Sequence, residues 1–192
     1  MTVAAMILFG SWVAFMLFWG VMAVRTKKTV QKQPRSEMRL YLWPLLIGML
    51  IMSGLPRYLG PLTILARPLA YRTMGLQWSA AGAAMLGLAI AIWARVTLGR
   101  NWSGEITLKE DHELVTSGPY AAIRHPIYTA LILLFLGLVL FINSAGAWIG
   151  LALVILSCWV KLRQEEALML RQFPGSYPAY MARTKRLVPL LV

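Results

Sequence analysis

At 192 residues the chain has the length of one domain, and 59% hydrophobic against 14% charged residues is too apolar for an ordinary soluble fold. A net charge of +12 raises nucleic acid as a partner, but the basic residues are scattered beside apolar runs and no nucleic-acid motif accompanies them. Anionic membrane lipids explain them better, and a single cysteine, Cys158, excludes an intrachain disulfide framework.

Charge-free spans run over 1–24, 40–56, 73–94 and 126–160, and a membrane crossing takes about 20 apolar residues. The first span has its positive charges after the apolar run and no small-residue cleavage site, so it is read as a retained helix rather than a signal peptide. Within it Gly10 and Ala14 stand four apart, as do Ala83, Gly87 and Ala91 in the third span, and both sets predict close helix packing. Residues 57–72, with Pro61, Pro68 and three arginines, suit an interfacial loop or short surface helix.

The last span is 35 residues. As one helix it would be roughly 52 Å long against a hydrocarbon core of about 30 Å. It must therefore fold back, and Asn143-Ser144-Ala145-Gly146 supplies the turn of an antiparallel hairpin. Five crossings follow. All but Arg57, Arg67 and Arg72 of the 19 Lys and Arg fall on one side of such a bundle, which predicts an outward amino terminus and a cytoplasmic carboxyl terminus. The expected fold is all-α: one integral membrane domain over 1–192, with three helices in 1–94 and a polar connector, hairpin and cytoplasmic cap in 95–192.

The connector from Arg95 to His125 is 31 residues, and connections of that length are usually functional. After the fifth crossing KLRQEEALMLRQF continues the helix until Pro174-Gly175 breaks it, and a short segment follows with Tyr177 and Tyr180. There is no G-x-G-x-x-G, P-loop or Cys-x-x-Cys, and His112-Glu113 fails the H-E-x-x-H pattern because Thr116 stands where the second histidine belongs. What remains is Tyr120, Arg124, His125, Tyr128 and Glu165-Glu166, a set suited to a zwitterionic ligand at a membrane surface. Pro126 fits the first position of a helix and sets His125 near its N-cap, where free backbone donors favour a carboxylate. A glutamate complements an ammonium or sulfonium, and S-adenosylmethionine carries all three groups. Trp102 and Trp159 read as interfacial belt residues, Arg124 as a phosphate anchor, and Glu166 as either pocket or solvated helix start.

LGRNWS at 98–103, HELVTSGPY at 112–120, RHPIY at 124–128, RQEE at 163–166 and the spaced Phe173, Tyr177 and Tyr180 give the second half of the chain its motifs. In order and spacing this half resembles the isoprenylcysteine carboxyl methyltransferase family; the first half matches only in hydropathy. The resemblance implies an S-adenosylmethionine site without a Rossmann domain, enclosed by the connector and the carboxyl-terminal helix. Carried over by position, His112, Glu113, Leu114 and Val115 contact the cofactor, Tyr120, His125, Pro126, Ile127 and Tyr128 line the same pocket, and Glu165 completes it. Two positions depart from eukaryotic relatives: Glu105 replaces a glutamine, and Lys161 replaces a substrate-binding arginine, with Arg163 at a further basic position.

The expected reaction is methyl transfer to a lipophilic acceptor that arrives through the bilayer and carries a carboxylate, which Lys161 and Arg163 would meet. A carboxylate is ionised at neutral pH and needs no general base, so alignment and exclusion of water suffice. A nicotinamide-dependent membrane reductase is the rival enzyme, and a transporter or scaffold the non-enzymatic rival.

Overall fold

The computed structural model describes residues 1–23, 29–32, 34–71, 73–102, 106–109 and 113–188. Six α-helices carry the architecture: α1 (Val3–Ala23), α2 (Arg35–Met52), α3 (Met74–Leu98), α4 (Pro126–Ile142), α5 (Ala145–Gln172) and the short α6 (Tyr177–Arg183). Helices α1, α3 and α5 are long and apolar enough to cross a membrane, α4 is apolar but only 17 residues, and α2 carries Arg35, Glu37 and Arg39 near its start.

The chain passes between the two ends of the bundle five times. At one end Thr2 bonds Gln77, and Leu69 donates its backbone N–H to Asn143 O at 2.8 Å. At the other end the last turns of α1 and α3 meet through Arg95, and α5 runs past the lipid-facing stretch to carry Glu165 and Glu166. The turn expected at 143–146 lies there: Asn143 adopts φ 50, the left-handed conformation asparagine tolerates, and Ser144 caps α5 by accepting from Ala147 N at 3.2 Å. Helix α5 ends at Gln172, ahead of Pro174-Gly175, and residues 55–66 form two 3-10 turns.

In lipid, helix association depends on close packing because the tails are as apolar as leucine. The closest seam joins α3 to α4. A Cβ on Gly87 would stand 2.8 Å from Ala130 O, and one on Gly137 would stand 2.6 Å from Ala80 O. Helix α5 packs mainly against α2 in the same way, its Gly150 carbonyl 2.7 Å from a Cβ built on Gly48. The hairpin partners α4 and α5 share a core through Phe135, Val139, Ala147, Leu151 and Val154, but each has its larger interface elsewhere.

Two packing expectations need correction. Gly10 and Ala14 are exposed, and no atom comes within 4 Å of a Cβ on Gly10. The buried face of α1 is Ala4, Leu8, Ser11 and Phe15 instead, where bulk fills the groove and aromatic edges interlock: Trp12 meets Phe135 at 5.0 Å, and Phe15 stacks on Trp19 at 4.7 Å. In α3 the fully packed stripe is Ala80, Ala84, Gly87 and Ala91, with Ala83 only half-buried beside it.

The all-α bundle carries one small addition the sequence pattern did not suggest. Strand β1 (Thr29–Lys32), after α1, pairs antiparallel with β2 (Thr107–Lys109) in the connector. That ribbon ties the connector to the first half of the chain at the polar end.

Candidate ligand cavity

A cavity of about 500 Å³ opens at the polar end, within the size range of small-molecule sites. Helix α1 contributes Phe15 and Trp19; the connector contributes Asn101, Trp102, Ile106, Glu113, Leu114, Val115 and Tyr120; α4 and the residues before it contribute Arg124, His125, Ile127, Tyr128 and Leu131. The far wall is Lys161, Glu165, Leu168 and Met169 of α5 with Tyr177 and Tyr180 of α6.

The structure thus brings Glu113, Leu114, Val115, Tyr120, His125, Ile127, Tyr128, Lys161 and Glu165 around one space. Pro126 is fully buried at the first position of α4 and is not part of the lining. Arg163 is exposed, on a different part of α5 from Lys161, and does not line the cavity either. Helical spacing is the reason: positions 161 and 165 share a face, and position 163 lies about 200° around the axis from 161. His112 and Glu105 lie outside the described residues.

Glu165 and Glu166 take separate roles. Glu165, 28% exposed, accepts from the Tyr128 hydroxyl at 2.5 Å, and its second oxygen is 3.6 Å from His125 Nδ1. Glu166, only 5% exposed, accepts from Arg124 Nε at 2.9 Å and from Arg186 Nε at 3.1 Å, and lies 3.4 Å from His125 Nε2. His125 stands between the two carboxylates. Lys161 adds a cation to the cavity, its ammonium 5.2 Å from the Tyr41 ring and 5.9 Å from the Tyr128 ring. One space therefore offers a carboxylate and an ammonium, the complement of a ligand bearing both signs.

Arg124 is no surface phosphate anchor. Its side chain is 7% exposed, and besides Glu166 it donates to Met181 O at 3.2 Å and to Thr184 O. It clasps the segment Thr184–Leu187, which lies along the connector as a strap. Arg124 N donates to Lys185 O at 2.7 Å, His125 N to Arg186 O at 3.0 Å, and Lys185 N to Ala122 O at 3.2 Å. Thr129 Oγ1 pins the end of the strap through Leu187 O at 2.6 Å.

The phenols of the cap are held in their protonated form. Burial pushes the Tyr120 hydroxyl well up, and the Glu165 carboxylate adds to the rise. Tyr177 is raised by burial and then by Glu166, and burial carries Tyr180 to about 12 against the pull of Arg124 and Arg183. Tyr180 uses its proton to bond Tyr120 O at 2.7 Å, joining α6 to the cavity wall.

Several contributors escaped sequence reasoning. Trp102 is a cavity wall rather than a belt residue: its ring lies under the Arg95 guanidinium at 4.6 Å and edge-on to Trp19 at 5.7 Å. Arg95, counted among the juxtamembrane charges, is fully buried and donates to Gly99 O at 2.5 Å and Met22 O at 2.6 Å. It bonds backbone carbonyls at the ends of α1 and α3, where a cation is favourable. Phe15 and Trp19 carry no motif; their only signal is a four-residue spacing on the face that also holds Ser11.

Residues 80–171 match the isoprenylcysteine carboxyl methyltransferase (ICMT) family. Among curated proteins the chain is similar to the cobalt-zinc-cadmium resistance protein CzcN of Cupriavidus metallidurans, 34% identical over 109 residues, which is 56% of this chain and 48% of that protein. It is 30% identical over 118 residues to the protein-S-isoprenylcysteine O-methyltransferase of Schizosaccharomyces pombe, 60% of this chain and 50% of that one. The nickel-cobalt-cadmium resistance protein NccN of Alcaligenes xylosoxydans xylosoxydans is 34% identical over 110 residues, with 56% and 48% covered. The chain spans about half the length of the curated relatives it matches.

Proposed function

We propose, from the match of residues 80–171 to the isoprenylcysteine carboxyl methyltransferase family, that the protein is a membrane methyltransferase using S-adenosylmethionine on a lipophilic carboxylate acceptor. The observation that carries this reading is the presence of both Glu165 and Lys161 in a cavity that α1 and α4 also line with apolar side chains, Phe15, Trp19, Ile127 and Leu131.

The residues suit the cofactor. Among the described residues Glu165 accepts from the neutral Tyr128 hydroxyl and lies 3.6 Å from His125 Nδ1, and it is the more exposed of the two glutamates, so its charge can meet an ammonium or sulfonium. Leu114, Val115 and Trp102 give an apolar and aromatic surface for a purine ring. The bound cofactor supplies an already activated methyl group, which leaves the protein to align and to exclude water. Trp19, Phe15 and Leu131 keep the chamber apolar where an acceptor tail would lie, while Lys161 draws an anionic head toward Glu165's end of the cavity. In this reading the polar end, with the strap and connector, faces the cytoplasm, which the distribution of basic residues supports.

The test is incubation of the purified chain in lipid nanodiscs with methyl-labelled cofactor and total membrane lipid, followed by identification of labelled product. The expected product is a methyl ester of a lipophilic acid. Binding of a reduced nicotinamide in place of S-adenosylhomocysteine would sink the methyltransferase reading. Lys161→Met is expected to raise the acceptor's KM roughly tenfold or more, the scale of a lost hydrogen bond to a charged group, while cofactor affinity holds. Arg163→Gln, outside the cavity, is expected to change neither.

A further inference from the structure

Glu166 accepts from two arginines and yet does not line the cavity. Arg124 reaches it from the connector, Arg186 from the strap, and the His125 imidazole lies 3.4 Å away on the cavity side. A carboxylate taken this far out of water is stable only while its partners stay in place. The other edge of the same imidazole faces Glu165, the group assigned to the cofactor's positive charge. The strap is therefore joined to the ligand site through one ring.

We propose that Glu166 is a positioning residue that sets His125, and through it Glu165, only while the carboxyl-terminal strap Thr184–Leu187 is docked, so that cofactor binding and strap docking are thermodynamically coupled. The inference rests on the cofactor reading above. Three observations carry it together. Glu166 bonds both the strap, by Arg186, and the strap's clasp, Arg124. The backbone of His125 is itself bonded to Arg186 O, so the ring and the strap move on one support. Tyr180, four residues before the start of the strap, lines the cavity and bonds the carbonyl of Tyr120, another lining residue. A ligand that fixes Glu165 and His125 thus favours the arrangement in which Glu166 holds both arginines, and linkage makes the effect reciprocal.

The experiment is amide hydrogen exchange on the full chain in nanodiscs with and without S-adenosylhomocysteine, paired with titration of Glu166→Gln. In the wild type, saturating ligand is expected to slow exchange of the Arg124, His125 and Lys185 amides about tenfold, within the usual range of coupling between sites. The Leu69 amide, bonded to Asn143 O at the opposite end, serves as the control and is expected not to respond. Glu166→Gln keeps the side chain's shape and is expected to bind S-adenosylhomocysteine about tenfold more weakly with the strap amides insensitive to it. A ligand that binds the wild type without slowing those three amides overturns the coupling, and so does a folded Glu166→Gln of unchanged affinity. Should that variant fail to fold, the wild-type exchange pattern alone decides. No binding by the wild type overturns the cofactor reading, and the coupling with it.

Discussion

The two ends of the bundle are closed by different chemistry. At the turn end the closure is backbone and small side chains: Asn143 in its left-handed conformation, the Ser144 cap, and the bonded pair Leu69 N and Asn143 O. At the polar end it is buried charge: Arg95 over Trp102, and Arg124 and Arg186 on Glu166. Only the second kind of closure can respond to a ligand, because a charge network has alternatives that a packed turn lacks. The first end needs merely to hold. The second end must hold while Glu165 and Lys161 border the cavity, and among the described residues its most buried carboxylate, Glu166, is given to support.

The sharpest way to break that division is to remove each glutamate in turn. Glu166→Ala strands Arg124 in a buried site and is expected to cost about 3–5 kcal/mol of stability, the usual consequence of taking one partner from a buried pair. Glu165→Ala, at a more exposed position with a neutral partner, is expected to cost about 1 kcal/mol and to show its main effect as weakened S-adenosylhomocysteine binding. Thermal unfolding in detergent reads the first effect and titration the second. Equal stability losses in the two variants would mean that support and site are not divided between them.

Why the two ends differed in legibility follows from the same contrast. The turn end is made of local signals, the Asn143 turn and the Ser144 cap inside an apolar run too long for one helix, and the polar end has one such signal in Pro174-Gly175 just beyond the end of α5. Each acts within a few residues of itself, so the pattern states it. The polar end depends on partners far apart in the chain, such as Arg124 with Thr184 and Arg95 with Met22, and no periodicity encodes those pairings. Lys161 and Glu165 stood out through family motifs, whereas Phe15 and Trp19 entered the cavity only because α1 packs beside α3 and α4. Glu166 could be read as solvated helix start or pocket from sequence, and its burial together with its bonds to Arg124 and Arg186 marks it as support.

The α3–α4 seam tests whether the bundle between the two ends transmits damage. Gly137→Ala places a methyl 2.6 Å from the Ala80 carbonyl, a backbone atom that cannot swing aside, and is expected to cost about 1–3 kcal/mol. Gly82→Ala meets nothing within 4 Å and, in the middle of α3, is expected to keep or slightly raise stability. If the seam only holds the helices, ligand affinity of folded Gly137→Ala matches the wild type, since Ala80 and Gly137 do not border the cavity.

Asn143 gives the smallest effect and the cleanest separation. Its φ of 50 is a conformation that most side chains enter at a cost of about 1 kcal/mol, that asparagine accepts through its short polar side chain, and that glycine enters freely. Asn143→Ala is therefore expected to lose about 1 kcal/mol and Asn143→Gly to stay within a few tenths, because the backbone bond from Leu69 N survives in both. A thermal unfolding series of the three proteins measures the order. The turn lies at the opposite end from His125 and Glu165, so S-adenosylhomocysteine affinity should be the same in all three while Tm falls only in the alanine variant. An affinity that followed Tm through this series would show the two ends to be one cooperative unit, and the contrast between a closure that only holds and one that also responds would fail.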